Sequence, residues 1–338
     1  MDLTLILLVL GLLFAFIMAM NLGGNDAANP TSAVVGTGIM TIKKALILFS
    51  VFTLAGACLQ GFMVMKTIGR GIVPSIDVAG AFAIIIAANI WIFSATWRGM
   101  AISTTHSTIC AVIGYGIVKY GIGGFNASVL GSIVVSWFAS PFFSMVLAII
   151  LYKLISAYLE RHKDANEKRD LFFKMLLIFS LALSAYSFGA NDVANATGIY
   201  VTIGAQIGQF PDMNAMILLA IYGVAGIILG GFLFGPRVIE TLAFKVTRLD
   251  LTTGLAASIS NALVVYLFTT IPYLVWGYGL PISTSYAAVG AIIGASFARS
   301  ARSVSRRTSL TLILYWVLTV PITIVLSSAI YYALEFII

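Results

Sequence analysis

Residues 23–29 read GGNDAAN and residues 189–195 read GANDVAN, so two nearly identical polar stretches lie half a chain apart. Each places one aspartate, Asp26 or Asp192, between two asparagines inside a long apolar run. An ionised side chain at bilayer depth costs roughly 2.5 kcal/mol or more, so it indicates an ion or substrate pathway. Two such Asn–Asp motifs, half a chain apart, predict a transporter built from an internal repeat, with its site where the copies meet.

The composition is that of a membrane protein. Of the 338 residues, 60% are hydrophobic and 9% are charged. Apolar runs of about 20 residues, the length that crosses a bilayer as a helix, recur along the chain. The alternation typical of transmembrane β-barrels is absent, and lipid offers no partner to unpaired backbone groups, so we predict an all-α polytopic membrane protein. The first run, residues 3–20, lacks a basic start and continues into the first motif, which favours a retained helix over a signal peptide.

The apolar segments form two series of five. The first segment of each series is expected to be broken at its Asn–Asp motif, near residues 21–30 and 187–196. The chain then divides into a first repeat at 1–156, a charged cytoplasmic linker at 157–170 and a second repeat at 171–338. The predicted segments are residues 3–40, 45–65, 78–97, 102–118, 127–152, 172–205, 214–235, 252–274, 281–298 and 309–335.

The halves also match away from the Asn–Asp motifs. Residues 99–114 (GMAISTTHSTICAVIG) align with residues 279–294 (GLPISTSYAAVGAIIG). Because each half has an odd number of segments, the second half starts on the opposite side of the membrane, which predicts inverted repeats. The count leaves open whether the segments at 102–118 and 281–298 cross fully or form re-entrant hairpins.

The net charge of +7 reflects membrane topology and does not indicate nucleic-acid binding. Lys and Arg crowd into the loops that flank the apolar segments. With the central loop in the cytoplasm, all but three of the 19 basic residues face inward, the exceptions being Lys66, Arg70 and Lys119. This bias follows the positive-inside rule and predicts that both termini lie outside the cell.

The Asn–Asp motifs carry ion-binding chemistry. Asp26 and Asp192 can supply negative charge for Na⁺ or carry a proton. Asparagine amide oxygens suit a hard cation, and their NH₂ groups suit the oxygens of an anion. The alternative is that these side chains only bond neighbouring helices to one another. A repeated intramembrane carboxylate favours a functional site, formed with Asn25, Asn29, Asn191 and Asn195.

A second pair of polar clusters consists of hydroxyl-rich segments, Ser103-Thr104-Thr105-His106 and Ser283-Thr284-Ser285-Tyr286. Each precedes an apolar run and is typical of a helix start, where N–H groups and the helix dipole bind oxyanions. That matters because neither polar motif contains Lys or Arg. The alternative is ordinary N-capping. We interpret His106 as a polar contact at the hairpin tip rather than a catalytic base.

The repeated Asn–Asp motif, the later STTH-type segment in each half and the charged central loop resemble the inorganic phosphate transporter (PiT) family. The resemblance covers nearly the whole chain. It implies a phosphate symporter driven by Na⁺ or H⁺, built from inverted repeats with re-entrant helical hairpins, and a homodimer in the plasma membrane. Three positions depart from the repeated pattern: Pro30 matches Ala196, Ala101 matches Pro281, and Tyr286 stands where the family pattern has His.

Carried over by motif, the resemblance implies two overlapping sets of ligands. The phosphate ligands would be Asn25, Asn29, Ser103, Thr104, Thr105, Asn191, Asn195, Ser283, Thr284 and Ser285. The coupling cation, Na⁺ or H⁺, would be held by Asp26, Asn25, Asp192, Asn191, Thr104 and Thr284. No other cofactor is expected, and the chain is not expected to be an enzyme because no nucleophile–base pair is present. A sulfate or other oxyanion permease and a passive channel remain as alternatives.

Overall fold

The computed structural model describes residues 3–162, 167–200 and 212–335. These ranges contain helices and turns but no strand. The α-helices, numbered in chain order, are α1 Leu3–Asp26, α2 Ala28–Gly36, α3 Ile42–Gln60, α4 Phe62–Arg70, α5 Val78–Trp97, α6 Thr104–Tyr120, α7 Ala127–Arg161, α8 Glu167–Thr197, α9 Met213–Leu233, α10 Gly235–Glu240, α11 Leu251–Trp276, α12 Thr284–Arg299 and α13 Arg306–Glu335.

The all-α membrane prediction is confirmed. In the described part of the chain, eight helical stretches are long and apolar enough to cross a membrane. They include α1 with α2, then α3, α5, α7, α8, α9, α11 and α13. The shorter helices α6 and α12, which begin at the hydroxyl-rich segments, are not among them. The predicted segment at 78–97 coincides with α5, and most other predicted segments differ from the helices by a few residues at each end.

The predicted helix breaks are smaller than expected, and one is displaced. Between α1 and α2 only Ala27 interrupts the helix, and its backbone remains right-handed helical. In the second half α8 runs through the whole motif to Thr197, and the turn lies at Gly198. Pro30 cannot donate a backbone hydrogen bond, which accounts for the turn in the first half. The matching Ala196 has no such effect, and the turn lies two residues beyond the region near 187–196 where the break was predicted.

Helix contacts in one half repeat in the other half. Helix α1 packs on α5 and α9, and correspondingly α8 packs on α11 and α3. Helix α6 packs on α13, and α12 packs on α7. Each pair is matched by one in which the halves are exchanged, which is the packing that the predicted repeat leads us to expect. Its inversion across the membrane stays a prediction.

The glycines that precede the Asn–Asp motifs lie at helix crossings. A Cβ atom on Gly23 would stand 1.8 Å from the carbonyl oxygen of Ile227, and one on Gly230 would stand 1.7 Å from that of Met20. On the other side, a Cβ on Gly189 would stand 2.1 Å from the carbonyl oxygen of Thr53. Close backbone approach through small residues is the usual way in which membrane helices associate. The motifs are therefore held at the closest contacts between the halves.

Helices α5 and α6 form a hairpin, called hairpin 1, whose tip ends inside the protein. Asn89 bonds to Phe14 and Asn21, and Thr96 bonds to Asn25, so α5 runs parallel to α1. The tip is level with Asn25, whereas α2 continues beyond it by about 14 Å at the rise of an α-helix. The geometry supports the predicted re-entrant hairpin. Helices α11 and α12 form the matching hairpin 2.

In each hairpin an ion pair joins the two helices at the end that lies away from the tip. In hairpin 1, Lys119 near the end of α6 lies 3.2 Å from Asp77, which caps α5. In hairpin 2, Arg299 at the end of α12 lies 3.0 Å from Asp250, which caps α11. The sequence analysis did not identify these pairs. Each ties the two helices of one hairpin together.

The glycine crossings predict a strong difference between two Gly→Ala substitutions. Gly230→Ala places a methyl group into the backbone of α1, and overpacking of this kind costs about 1–3 kcal/mol or more. Gly131→Ala, in α7 with no atom near its Cβ position, gains about 0.5–1 kcal/mol of helix propensity. Thermal unfolding in detergent checks both. A Gly230→Ala protein as stable as wild type would contradict the close crossing.

The Asp250 cap predicts a pH-dependent contribution to stability. Burial alone would raise the pKa of Asp250, but the Thr253 backbone N–H and Arg299 outweigh burial and hold that pKa below its ordinary value of 3.8. The lowered pKa stabilises the fold above the ordinary value, and this stabilisation is lost as pH falls through the folded-state pKa. Asp250→Asn keeps a capping residue and should cost less than about 1 kcal/mol at pH 7, with the difference from wild type vanishing in acid. Asp250→Ala should cost about 1 kcal/mol more, as measured by unfolding at several pH values.

Candidate functional site

Asp26 is a buried carboxylate, and both of its oxygens accept hydrogen bonds. The Thr104 hydroxyl donates to Oδ2 at 2.6 Å, and the Ser285 hydroxyl donates to Oδ1 at 2.6 Å. The Asn29 amide donates the third hydrogen bond to the carboxylate, at 3.1 Å from Oδ1. Thr104 belongs to hairpin 1 and Ser285 to hairpin 2. The site therefore draws donors from both halves, as predicted for a site where the copies meet.

Asp192, its counterpart, is equally buried but poorly satisfied. Its Oδ1 accepts from Asn195 at 3.1 Å and from Thr105 at 3.4 Å. The single hydroxyl hydrogen of Thr105 has a shorter contact, 2.9 Å, to the carbonyl oxygen of Ile282. The Thr284 hydroxyl lies beside Asp192, yet Oδ2 makes no complete hydrogen bond with any described residue. The asparagine bond is thus as long as its counterpart at Asp26, whereas of the two matching hydroxyl bonds one is longer and the other is not made.

Asn25 and Asn191 hold the hairpin tips. The Asn25 amide donates to Thr96 and to the Met100 carbonyl oxygen, both at 2.9 Å, and its oxygen accepts from the Ile102 N–H. The Asn191 amide donates at 2.8 Å to Thr269 and to the carbonyl oxygen of Leu280. The sequence analysis did not identify Thr96 and Thr269 as partners of these asparagines. A polar residue near the end of an apolar helix, in both halves, is the signal that could have identified them.

Four buried oxygens of the Asn–Asp motifs have no hydrogen-bond partner among the described residues. They are Oδ1 of Asn29, Asn191 and Asn195 and Oδ2 of Asp192. In each asparagine the amide nitrogen donates to a carboxylate or carbonyl oxygen, which can only accept, so the free atom is the oxygen. Buried polar atoms are almost always paired. Carboxylate and amide oxygens without donors are the kind of ligand that a hard cation takes.

The hydroxyl-rich segments divide into two roles. Ser103 and Ser283 accept at 3.1 Å from the N–H groups of His106 and Tyr286, so the N-cap alternative holds for these serines. Their hydroxyl hydrogens stay available, and their role as phosphate ligands stays a prediction. The hydroxyls of Thr104, Thr105 and Ser285 instead donate towards the carboxylates. Helices α6 and α12 begin here, which brings two positive dipole ends to the site.

The charge of the site is carried by the two acids. Asp26 and Asp192 repel each other electrostatically, and no ion pair in the described ranges includes either of them. A bare anion would be repelled by both carboxylates. A cation bound to them would remove that repulsion.

His106 does not face the carboxylates. Its ring lies against Trp137, with centroids 3.9 Å apart, and edge-on to Tyr286 at 4.4 Å. Neither ring nitrogen has a hydrogen-bond partner among the described residues. The expected polar contact at the hairpin tip is therefore absent from the described part of the chain, and His106 packs in an aromatic cluster.

Comparison with known proteins gives a consistent result. Residues 22–327 match the profile of the phosphate transporter family. A Pyrococcus horikoshii protein named as a phosphate permease is 28% identical, with 96% of this chain and 97% of that one aligned. The chloroplastic inorganic phosphate transporter 2-1 of Arabidopsis thaliana is 26% identical over 92% of this chain and 69% of its own. A solved structure described as the sodium-dependent phosphate transporter superposes with TM-score 0.83 and 28% identity, covering 98% of this chain and 100% of its own.

The donors to Asp26 predict a stability difference between two threonines of α6. Thr104→Val removes a hydroxyl that donates to a buried carboxylate and should cost about 1.5–3 kcal/mol. Thr108→Val is the matched control, since among the described residues the Thr108 hydroxyl bonds to no group but the carbonyl oxygen of Thr104 in its own helix. Equal losses for the two variants in detergent unfolding would show that the Asp26 contact contributes nothing specific.

Proposed function

Because this chain belongs to the phosphate transporter family, we propose that it takes up inorganic phosphate by symport with Na⁺. Its family and fold are those of a transporter rather than an enzyme. The observation that carries the coupled mechanism is the under-satisfied buried carboxylate of Asp192, together with the three amide oxygens of the Asn–Asp motifs that have no donor among the described residues. In this proposal, phosphate and cations bind between the two halves, near the bilayer midplane.

The free oxygens favour Na⁺ over H⁺ as the coupling ion. A proton would satisfy only the carboxyl oxygen of Asp192, because an amide oxygen does not hold a proton at physiological pH. Na⁺ accepts several oxygen ligands at once, so it can use amide oxygens, such as those of Asn29, Asn191 and Asn195, as well as a carboxylate. The sodium dependence of the solved relative agrees with this preference.

The proposed phosphate ligands are neutral donors. The hydroxyls of Thr104, Thr105, Thr284 and Ser285, and the N-terminal turns of α6 and α12, can donate to phosphate oxygens without a fixed positive charge. Several of these hydroxyls now donate to the carboxylates. Phosphate and carboxylate therefore compete for the same hydrogens, and a cation on the carboxylates would release the hydroxyls to phosphate.

This competition makes cation and phosphate binding depend on each other. Cations relieve carboxylate repulsion and free the donors, and phosphate in turn supplies negative charge next to the cations. Such a coupling free energy is reciprocal, so each ligand tightens binding of the other by the same factor. A passive channel needs no such coupling.

The remaining features of the proposal concern the membrane setting. We place the protein in the plasma membrane with both termini extracellular and the loop between α7 and α8 cytoplasmic, because this orientation puts most Lys and Arg inside. Two inverted repeats, residues 1–156 and 171–338, would alternate access to the site. A homodimer is part of the same proposal.

Uptake of labelled phosphate into proteoliposomes tests the coupled mechanism. An imposed Na⁺ gradient should drive accumulation, and an imposed H⁺ gradient should not. Asp26→Asn and Asp192→Asn remove the charge at nearly constant shape and should each lower uptake at least about tenfold, equivalent to 1.4 kcal/mol. Asp250→Asn is the control for loss of an acidic residue outside the site. Phosphate flux that ignores both gradients would indicate a channel.

Competition by sulfate tests the substrate. Phosphate near neutral pH still carries a proton that a carboxylate or amide oxygen can accept. Sulfate carries none, which leaves a buried acceptor unpaired and lowers its affinity. We expect excess sulfate to reduce phosphate uptake far less than the same concentration of unlabelled phosphate. Equal inhibition by the two anions would make this a general oxyanion permease.

A further inference from the structure

Helix α4 and the end of α10 carry a matched sequence. Residues 64–68 read VMKTI and residues 238–242 read VIETL, so Thr67 occupies the same position in one half as Thr241 in the other. Both threonines are buried. Neither belongs to the candidate site, and the proposed transport mechanism assigns them no role. Any difference between their contacts is a difference between the conformations of the two halves.

Thr67 bonds the tip of hairpin 2 to α4. Its hydroxyl donates to the carbonyl oxygen of Gly279 at 2.7 Å. The Gly279 N–H in turn donates to the carbonyl oxygen of Met63 at 3.1 Å. Both backbone polar groups of one buried tip residue are thus paired with α4. A buried carbonyl oxygen without a donor is costly, so the Thr67 hydroxyl holds this tip in place.

Thr241 makes a different bond at the matching contact. Gly99 is the residue of hairpin 1 that matches Gly279, and a Cβ atom on it would stand 3.4 Å from the Thr241 hydroxyl oxygen. That hydroxyl nevertheless donates to the carbonyl oxygen of Arg237, in α10, at 3.1 Å. The Gly99 N–H donates within hairpin 1, to Thr96. In the described ranges, no hydrogen bond joins Gly99 to Arg237 or Thr241.

A threonine hydroxyl on a helix has one hydrogen and a choice of acceptors. It can donate to the carbonyl oxygen four residues earlier or to a group outside the helix. For Thr67 the earlier carbonyl oxygen, that of Met63, lies at 3.4 Å, and the shorter contact is the one to hairpin 2. For Thr241 the bond to the earlier carbonyl is the one made. The two matched threonines therefore show the two alternative bonds of one hydroxyl.

Hairpin 1 is linked to α10 in a different way. The exposed side chain of Arg237 stacks on Trp97 and donates to its carbonyl oxygen at 3.3 Å. A bond at an exposed surface exchanges readily with water, whereas the bond of Thr67 is buried. In the proposed orientation, the tip of hairpin 2 lies towards the extracellular side and that of hairpin 1 towards the cytoplasm. The more firmly bonded tip is then the extracellular one.

We propose that Thr67 and Thr241 are matched latches, whose hydroxyl hydrogens decide which hairpin tip can open. The proposal rests on the alternating access of the proposed function. While Thr67 donates to Gly279, hairpin 2 stays closed and hairpin 1 is the tip able to open. In the opposite state Thr67 donates to Met63, and Thr241 donates to Gly99. Each hydroxyl keeps an acceptor in both states, and the released tip carbonyl meets water once its hairpin opens.

Cysteine labelling of the purified protein in detergent measures the opening of each tip. Cys58 and Cys110 are first replaced by alanine, and one cysteine is placed at Leu280, buried at the tip of hairpin 2, or at the matching Met100 of hairpin 1. Thr67→Val removes the hydroxyl at nearly constant shape. It should raise the rate at which a water-soluble maleimide labels Leu280→Cys at least about fivefold, because the tip loses a buried hydrogen bond. Met100→Cys should react no faster.

Two further variants separate a latch from ordinary packing. Thr67→Ser keeps the hydroxyl and should keep the slow labelling of Leu280→Cys. Thr241→Val loses a bond to its own helix in this state and should also leave that labelling no faster. An unchanged rate in Thr67→Val would overturn the proposal. Faster reaction of both cysteine probes would show general loosening and would refute it as well.

Hydrogen–deuterium exchange checks the same contact without introduced cysteines. Because the Gly279 N–H is bonded to α4, the peptide that contains it should exchange faster in Thr67→Val than in Thr67→Ser or wild type. The peptide that contains Gly99 should exchange equally in all three, and equal exchange at Gly279 would contradict the latch. Neither measurement uses phosphate or Na⁺ flux, so failure of the latch is distinguishable from failure of the proposed uptake.

Discussion

The structure depends on keeping two carboxylates in the interior of a membrane protein without a basic partner. In the described part of the chain, the donors that stabilise Asp26 are all neutral, two hydroxyls and one amide. A single helix cannot supply these donors, so the tips of two hairpins must end at the carboxylates. Ending a hairpin inside the protein frees backbone groups, and the serine caps of α6 and α12 and the amides of Asn25 and Asn191 pair with several of them. The polar centre thus determines where the hairpins stop.

The same requirement binds the halves to each other. Asp26 takes a donor from hairpin 2, and Asp192 takes one from hairpin 1. Each hairpin tip is also held by the other half: the Thr67 hydroxyl of α4 bonds to the Gly279 carbonyl oxygen at 2.7 Å, and Gly99 packs against Arg237 and Thr241. Gly99 has φ +68°, a conformation that favours glycine. Neither half could form its part of the site alone, because each half supplies a carboxylate donor to the other and holds the other's hairpin tip.

The sequence alone predicted the features that stand out because they are duplicated or because they are energetically costly in a membrane. An intramembrane carboxylate is expensive, so the Asn–Asp motifs stood out, and α5 was located by its uninterrupted apolar run. Features set by tertiary geometry were not visible. The helix turn lies at Ala27 and Gly198 because one proline changes the first motif and not the second. Which hydroxyl caps a helix and which reaches a carboxylate depends on one residue of register: Ser103 caps α6, and Thr104 bonds to Asp26. The ion pairs of the hairpins join residues 42 or 49 positions apart, beyond any local pattern.

The difference between the two carboxylates is one that the proposed alternating access would require. If the halves were identical in conformation, a protein with inverted repeats would look the same from both sides of the membrane and could not face only one. Here the Thr104 bond to Asp26 is made, while the matching Thr284 hydroxyl leaves Asp192 Oδ2 without a complete bond. Under the proposed inversion, exchanging these two arrangements produces the state that faces the opposite side. The chemistry of the site and its access would then change together, because the hydroxyls that satisfy the carboxylates are carried on the hairpins that shape the path.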